Sequence, residues 1–358
     1  MAIFKGERIK LEIYGGSHEE AIGVRIDGIA RGVRIDRDAL RTFMSRRAPG
    51  RDEYSTPRKE ADEVEFISGV EGELTTGEQI HACIRSTNRR SGDYSRFADT
   101  PRPSHADYVA RVKYGESVNM AGGGSFSGRM TAPLCIAGAI ALGMLRERGI
   151  EVGAHLYSVA DAKDVPFDPV RVSAAQLREI TGKAFPVIDE QRGDGMRACI
   201  LEAKAAGDSV GAVIETAVLG LPVGLGGPLF EGIESRISAL AFAVPAVKGV
   251  EFGSGFCCAG MTGSEHNDLF DIEDGRVVTL TNNSGGIQGG ISNGMPLIFR
   301  CAFKPTPSIS REQNTLSLSA GERVPLSIGG RHDPCVAVRA VPVTEAVAAI
   351  AILDCLGD

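Results

Sequence analysis

Glycine constrains this chain more than any other residue. It fills 45 of the 358 positions, roughly one in eight against a usual ~7%. The glycines follow no Gly-X-Y period, so a collagen-like helix is excluded. They gather instead in clusters such as Gly15-Gly16, Gly122-Gly123-Gly124, Gly285-Gly286 and Gly329-Gly330. Clusters of this kind supply positive φ or room for close approach to something bound. Periodic apolar stretches lie between them, so the chain reads as regular elements joined by loops of special conformation.

Ile9, Leu11 and Ile13 alternate, and Val24 and Ile26 resume the alternation after the loop Gly15–Ala21, which predicts two paired strands. Asp36 can cap a helix that carries Leu40, Phe43 and Met44 on one face and ends at Arg46-Arg47. Further strands are expected over Val64–Ser68, Gln79–Ser86 and Ala212–Leu219, and helices over Thr131–Arg148 and Gly195–Ala206. Ser104-His105-Ala106-Asp107 has capping-box spacing, which would put His105 in the first turn of a helix reaching about Lys113. The charged, aperiodic run 46–60 reads as a surface loop. Gly149–Gly153 echoes Gly249–Gly253, as a duplicated α+β unit would. With no low-complexity linker, residues 1–358 are expected to form one domain.

Lys plus Arg number 39 and Asp plus Glu 46, so the net charge is 39 − 46 = −7. That balance argues against a nucleic-acid binder, which relies on surplus cations. Lys5, Glu7, Arg8 and Lys10 spoil any signal sequence, and the apolar run Pro133–Leu145 is short for a bilayer, so no membrane partner and a cytoplasmic setting are expected. Eight cysteines without a CxxC pair fit reduced thiols, and Cys257-Cys258 reads as core packing. No paired Cys/His spacing argues for a metal.

Charge is locally concentrated. Residues 41–60 hold six cations against three acids, and residues 85–111 hold six arginines against three aspartates. Arginine suits bidentate capture of carboxylate or phosphate, so a small, multiply anionic ligand competes with a merely solvated basic face. His18 and His105 sit in polar, turn-like segments where imidazole can move protons near neutral pH. Taken singly, either is more often structural or merely exposed, and His81 and His155 read as structural. No GxxxxGK[ST] or strand-linked GxGxxG is present.

In order along nearly the whole chain, Gly15–His18 with Ile22-Gly23 and Asp27-Gly28, Arg47–Gly50, Arg102–Tyr108, Gly122–Thr131, Asn283–Ser292, Lys304-Pro305-Thr306 and Gly330–Cys335 resemble the chorismate synthase family. The resemblance implies an α+β fold of β-α-β sandwich type and a homotetramer. It implies a shikimate-pathway lyase that converts 5-enolpyruvylshikimate 3-phosphate to chorismate and phosphate with reduced FMN, NADPH serving some members as reductant. By the same resemblance His105 protonates the departing phosphate, His18 protonates or orients the flavin, and Asp333 helps accept the lost proton. Arg47, Arg102, Arg129 and Arg331 would hold anionic groups. Ser125, Phe126, Ser127, Ala246, Gly286, Lys304, Pro305, Thr306, Pro307, Ser308 and Arg331 would bind FMN. The chain departs from the family pattern at Gly16, Glu19, Glu53, Ser104, Ala121, Ser125, Phe126 and Met130. A catalytically silent homologue that binds flavin or an anionic metabolite is the alternative.

Overall fold

The alternating residues at the N-terminus do build strands. In the computed structural model, which describes residues 1–50, 52–56, 60–86, 95–115, 117–330 and 332–357, β2 (Lys10–Tyr14) pairs antiparallel with β3 (Ala21–Asp27). Leu11 faces Ile26 and Ile13 faces Val24 across the pair, which puts the apolar set on one side. With β1 (Ala2–Lys5), β4 (Glu65–Ser68) and β7 (Ile80–Arg85) they form a five-stranded sheet in the order β1-β2-β3-β7-β4. The short hairpin β5 (Val70–Glu71) and β6 (Leu74–Thr75) follows β4.

A second antiparallel sheet has the order β11-β16-β10-β8-β9, from β8 (Glu151–Val159), β9 (Ala162–Lys163), β10 (Ala212–Leu219), β11 (Val247–Phe252) and β16 (Leu297–Phe303). The echoing segments fall at different places in it: Gly149 precedes β8, whereas Gly249 lies within β11 beside a register shift. Hairpins β12–β13 (Phe270–Glu273, Arg276–Thr279), β14–β15 (Ile287–Gln288, Ile291–Ser292) and β17–β18 (Gln313–Ser317, Glu322–Leu326) lie outside the two large sheets.

Helices fill the space between the sheets. Asp36 caps α1 (Arg37–Arg47) as expected, accepting from the N–H groups of Asp38 and Ala39. α3 (Thr131–Glu147) and α8 (Ala337–Cys355) are almost wholly buried, with α6 (Ile233–Ala243) beside α8. α3 packs on β3 and α8 on β8 and β10, which gives the sheet–helix–sheet layering. Gly138 sits where α3 crosses α8, and a Cβ there would overlap Ala346, so the small-residue pattern sets the helix spacing. One continuous cluster of buried residues joins both sheets and these helices, with Ile22, Val24, Ile136, Leu156, Phe299 and Ile350 at its centre. Each such side chain contributes roughly 1.5–3 kcal/mol by leaving water.

Residues 128–147 form a stretch long and apolar enough to cross a membrane, longer than the apolar run suggested, but 72% of its window is buried inside the fold. α5 (Glu190–Ala205) starts earlier than its periodicity indicates, because Asp189 caps it and Gly193 fits against Val187. α4 (Ala174–Thr181) packs on β8, and α7 (Gly263–His266) is a single turn. Cys257 and Cys258 are exposed on a 3-10 turn rather than packed in the core, and all eight cysteines are free thiols. The ends of the chain meet: Asp354 of α8 accepts from the backbone N–H of Glu7, Arg8 and Ile9 and pairs with Arg236 at 2.6 Å.

Candidate active site

Loops from distant parts of the sequence converge on a cavity of about 620 Å³, within the roughly 300–1,000 Å³ usual for small-molecule sites. The triple glycine shapes one wall. Gly122, Gly123 and Gly124 have φ of 62°, 90° and 53°, which only glycine adopts cheaply in succession. The Ser17 N–H donates to the Gly124 carbonyl at 3.2 Å. A Cβ on Gly122 would overlap the His18 ring, and one on Gly123 would come within 3.4 Å of His105 Nε2. Consecutive glycines thus seat both imidazoles, as separate segments, against one loop.

His105 is oriented through its other nitrogen. Nδ1 lies 2.8 Å from Asp107 Oδ1, and Asp107 also takes Arg102 Nε and Nη2 at 2.7 Å each. Arg102 Nη2 stands 3.0 Å from the same Nδ1. In its imidazolium form the ring points its Nδ1 proton at the Asp107 carboxylate and leaves Nε2–H on the side of Gly123 and the cavity. Burial would push Asp107 up, but the hydrogen bonds from Arg102 and His105 outweigh it and hold the carboxyl well below the usual range. The expected capping box does not form. α2 (Asp107–Tyr114) begins two residues after His105 and has no side-chain cap, because Arg102 claims the carboxylate. Ser104 instead takes a left-handed φ of 57°.

The predicted arginines differ in what they have left to offer. Arg47 is 2% exposed and spends Nη1 on Asp62, Nε on Thr131 and Nη2 on the Gly128 carbonyl. Each guanidinium nitrogen of Arg102 also has a protein partner, Ser308 taking Nη1 at 3.2 Å. Arg129 gives Nη1 to Asp62 at 2.5 Å and Glu60 at 2.7 Å. Its Nε and Nη2 are buried with no partner among the described residues. Arg331 lies outside the described residues.

Asp333 joins the same cavity with both oxygens engaged: Oδ1 accepts from the Thr56 N–H at 2.8 Å and Oδ2 from Arg339 at 2.7 Å. Ser125, Phe126, Ser127, Ala246, Lys304, Thr306, Pro307 and Ser308 also line it. Pro305 and Gly286 do not belong to that wall. Gly286 serves a turn, with its N–H on Asn282 Oδ1 at 2.7 Å and a φ of 83° against the backbone of Pro296.

Sequence reasoning missed Glu60, Asp62, Lys248, His332 and Arg339. Lys248 faces Lys304, whose pKa is lowered first by burial and then by that second charge. His332 hydrogen-bonds the Gly329 backbone and lines the cavity. Burial, followed by the charge of Arg102, pulls its pKa below the ordinary histidine range. Its position between Arg331 and Asp333 was the available signal. The acids of Glu60-Ala61-Asp62 gave none, since such a run usually marks solvated surface.

These groups fit a flat cofactor bearing phosphate. Phe126, Phe242 and Val244 offer apolar surface, Lys304 and Lys248 offer cations, and Thr306 Oγ1 is buried with no hydrogen-bond partner among the described residues. No group of three or more His, Cys, Asp or Glu suited to a metal occurs among the described residues.

Comparison with known proteins agrees over nearly the full length. The family model described as chorismate synthase matches residues 9–356. The chain is 41% identical to a chorismate synthase of Lancefieldella parvula, covering 98% of this chain and 95% of the relative. It is 43% identical to that of Flavobacterium psychrophilum, covering 98% and 95%. The solved structure titled "Crystal Structure of Chorismate Synthase" superposes with a TM-score of 0.76 at 23% identity, over 98% of this chain and 92% of that one, which establishes the α+β fold. Matched end to end by model and relatives alike, the chain belongs to the chorismate synthase family.

Proposed function

We propose that this chain is a working carbon–oxygen lyase that converts 5-enolpyruvylshikimate 3-phosphate to chorismate and phosphate, using reduced FMN. The observation that carries the assignment is one cavity lined by His18, His105, Asp333 and Arg129, whose buried Nε and Nη2 have no partner among the described residues. The reaction breaks a C–O bond to phosphate and removes a hydrogen from carbon across a 1,4 relationship. Bound reduced flavin supplies transient electron density that makes both feasible, while the protein contributes binding, orientation and electrostatics.

As the imidazolium, with Nδ1–H held on Asp107, His105 gives its Nε2 proton to the departing phosphate and is left as the neutral Nδ1–H ring. His18, against the glycine loop, holds or donates a proton on the flavin side of the cavity. Asp333, steadied by Thr56 and Arg339, retains lone pairs to help take the proton lost from carbon. Arg129 meets an oxyanion with its Nε/Nη2 edge, and Arg47 and Arg102 brace the positive wall. Lys304, Thr306, Pro307, Ser308, Ala246 and the Ser125–Ser127 turn would hold FMN, with Arg331 as a further contributor by family likeness.

A single 1–358 domain is supported by the continuous core. A homotetramer is supported by large apolar side chains left at the surface, such as Phe230, Phe256, Phe270 and Ile272, exposed by 91%, 82%, 67% and 73%. A cytoplasmic setting and NADPH as reductant rest on family likeness. Anaerobic assay with chemically reduced FMN tests the function. Immediate phosphate release is expected. Substrate binding without release would instead mark a silent homologue, and NADPH consumption without substrate a stand-alone flavin reductase.

A further inference from the structure

The acidic residues beneath the cavity make a device that the arginines alone do not explain. Asp62 is wholly buried as a side chain and sits at a left-handed φ of 51°, a conformation a non-glycine residue adopts at a cost. Its two oxygens face two different guanidinium groups, Oδ2 on Arg47 Nη1 and Oδ1 on Arg129 Nη1 at 2.5 Å. Glu60 Oε2 adds a contact to the same Arg129 nitrogen at 2.7 Å. Burial opposes the charge of Asp62, but the two arginines outweigh it and keep the carboxyl below its usual range.

A guanidinium binds an oxyanion best through two parallel N–H bonds from one edge. By occupying Nη1, the carboxylates rule out the Nη1/Nη2 edge, the one fork that includes it. The remaining edge, Nε with Nη2, is the one left buried and without a partner among the described residues, on a residue that lines the cavity. Arg47, tied by the same Asp62, has no such edge left.

From this arrangement we infer that Asp62, backed by Glu60, is a positioning residue that aims the Nε/Nη2 fork of Arg129 at a phosphate or carboxylate of the substrate. The inference rests on the proposed function but reads out separately from it. Uniform binding of this kind appears in KM rather than kcat.

Asp62→Asn keeps the size and removes the charge that pins the fork. It should raise KM for 5-enolpyruvylshikimate 3-phosphate by about tenfold or more while kcat stays within about threefold. Arg129→Lys, a point charge without a fork, should do the same. In the Arg129→Lys background, Asp62→Asn should add less than about threefold, because there is no fork left to aim. Inorganic phosphate should raise the thermal midpoint of the unaltered protein and do so less in either variant, a readout independent of turnover. If Asp62→Asn does not fold, Glu60→Gln takes its place in the same cycle with the same thresholds.

A KM within about threefold of the parent, a fall confined to kcat, full multiplication of the two effects, or unchanged phosphate stabilisation would each overturn the inference. Absence of turnover in the unaltered protein, with phosphate stabilisation still dependent on Asp62, would sink the proposed lyase and leave the positioning role standing.

Discussion

His105 and His155 both stand in chains of carboxylates and an arginine, yet they are built to opposite ends. His155 lies in the second sheet, fully buried, with Nδ1 3.1 Å from Asp164 and Nε2 2.9 Å from Glu215. Glu215 in turn pairs with Arg300 at 2.8 Å, and Phe167 closes over the ring edge with centroids 4.6 Å apart. Both nitrogens are committed, so this imidazole can hold a proton but cannot pass it on. His105 has the same kind of support on Nδ1 alone, and its Nε2 meets a glycine loop at a cavity. A histidine–carboxylate pair is therefore uninformative by itself. What separates scaffold from chemistry is whether the second nitrogen has been spent.

Four substitutions and conditions would break or sharpen that contrast. His105→Ala should lower kcat for phosphate release by about 10²–10⁴-fold while leaving the thermal midpoint near the parent's. A surviving kcat would remove His105 from proton transfer. Glu215→Gln should leave KM and kcat close to the parent but cost about 3–5 kcal/mol, because His155 and Arg300 lose a buried counter-charge. Denaturant midpoints measure it, and an activity loss with intact stability would contradict the scaffold assignment.

The third is pH dependence. Burial disfavours charged His155, but its bonds to Asp164 and Glu215 win and raise its pKa. Stability from the charged ring is then complete below the unfolded value, about 6.5, and is lost as pH rises through the raised folded value. Asp164 and Glu215 shift downward, against a burial that opposes it, so their share is present above about 4 and lost as pH falls through the lowered values. The thermal midpoint should decline above about pH 6.5 in the parent and decline less in His155→Gln. The smallest effect belongs to exposed Cys257→Ser, expected within about 0.5 kcal/mol and with unchanged turnover.

Local rules made much of the scaffold legible. Alternation located β2, β3 and β7, and Asp36 announced α1 with its cap intact. Ordered motifs located His18, His105, Asp333 and most of the loop residues that line the same cavity, because those segments are short and chemically distinctive. What failed was long-range competition. The Asp107 carboxylate looked like a helix cap until Arg102 claimed it. Residues 46–60 looked like surface, although Thr56 and Glu60 reach the cavity wall. Asp62 was invisible because its importance comes from two arginines at sequence separations of 15 and 67.

The placement of α8 bears on how the molecule comes to exist. The helix at the centre of the layered core is also the last element in the chain, and its Asp354 ties down Ile9, 345 positions earlier. Emerging from a ribosome, β8 and β10 would display the faces that α8 later covers. Such distant closure favours slow folding, and it makes the nascent chain a natural client for holding factors until α8 has been made.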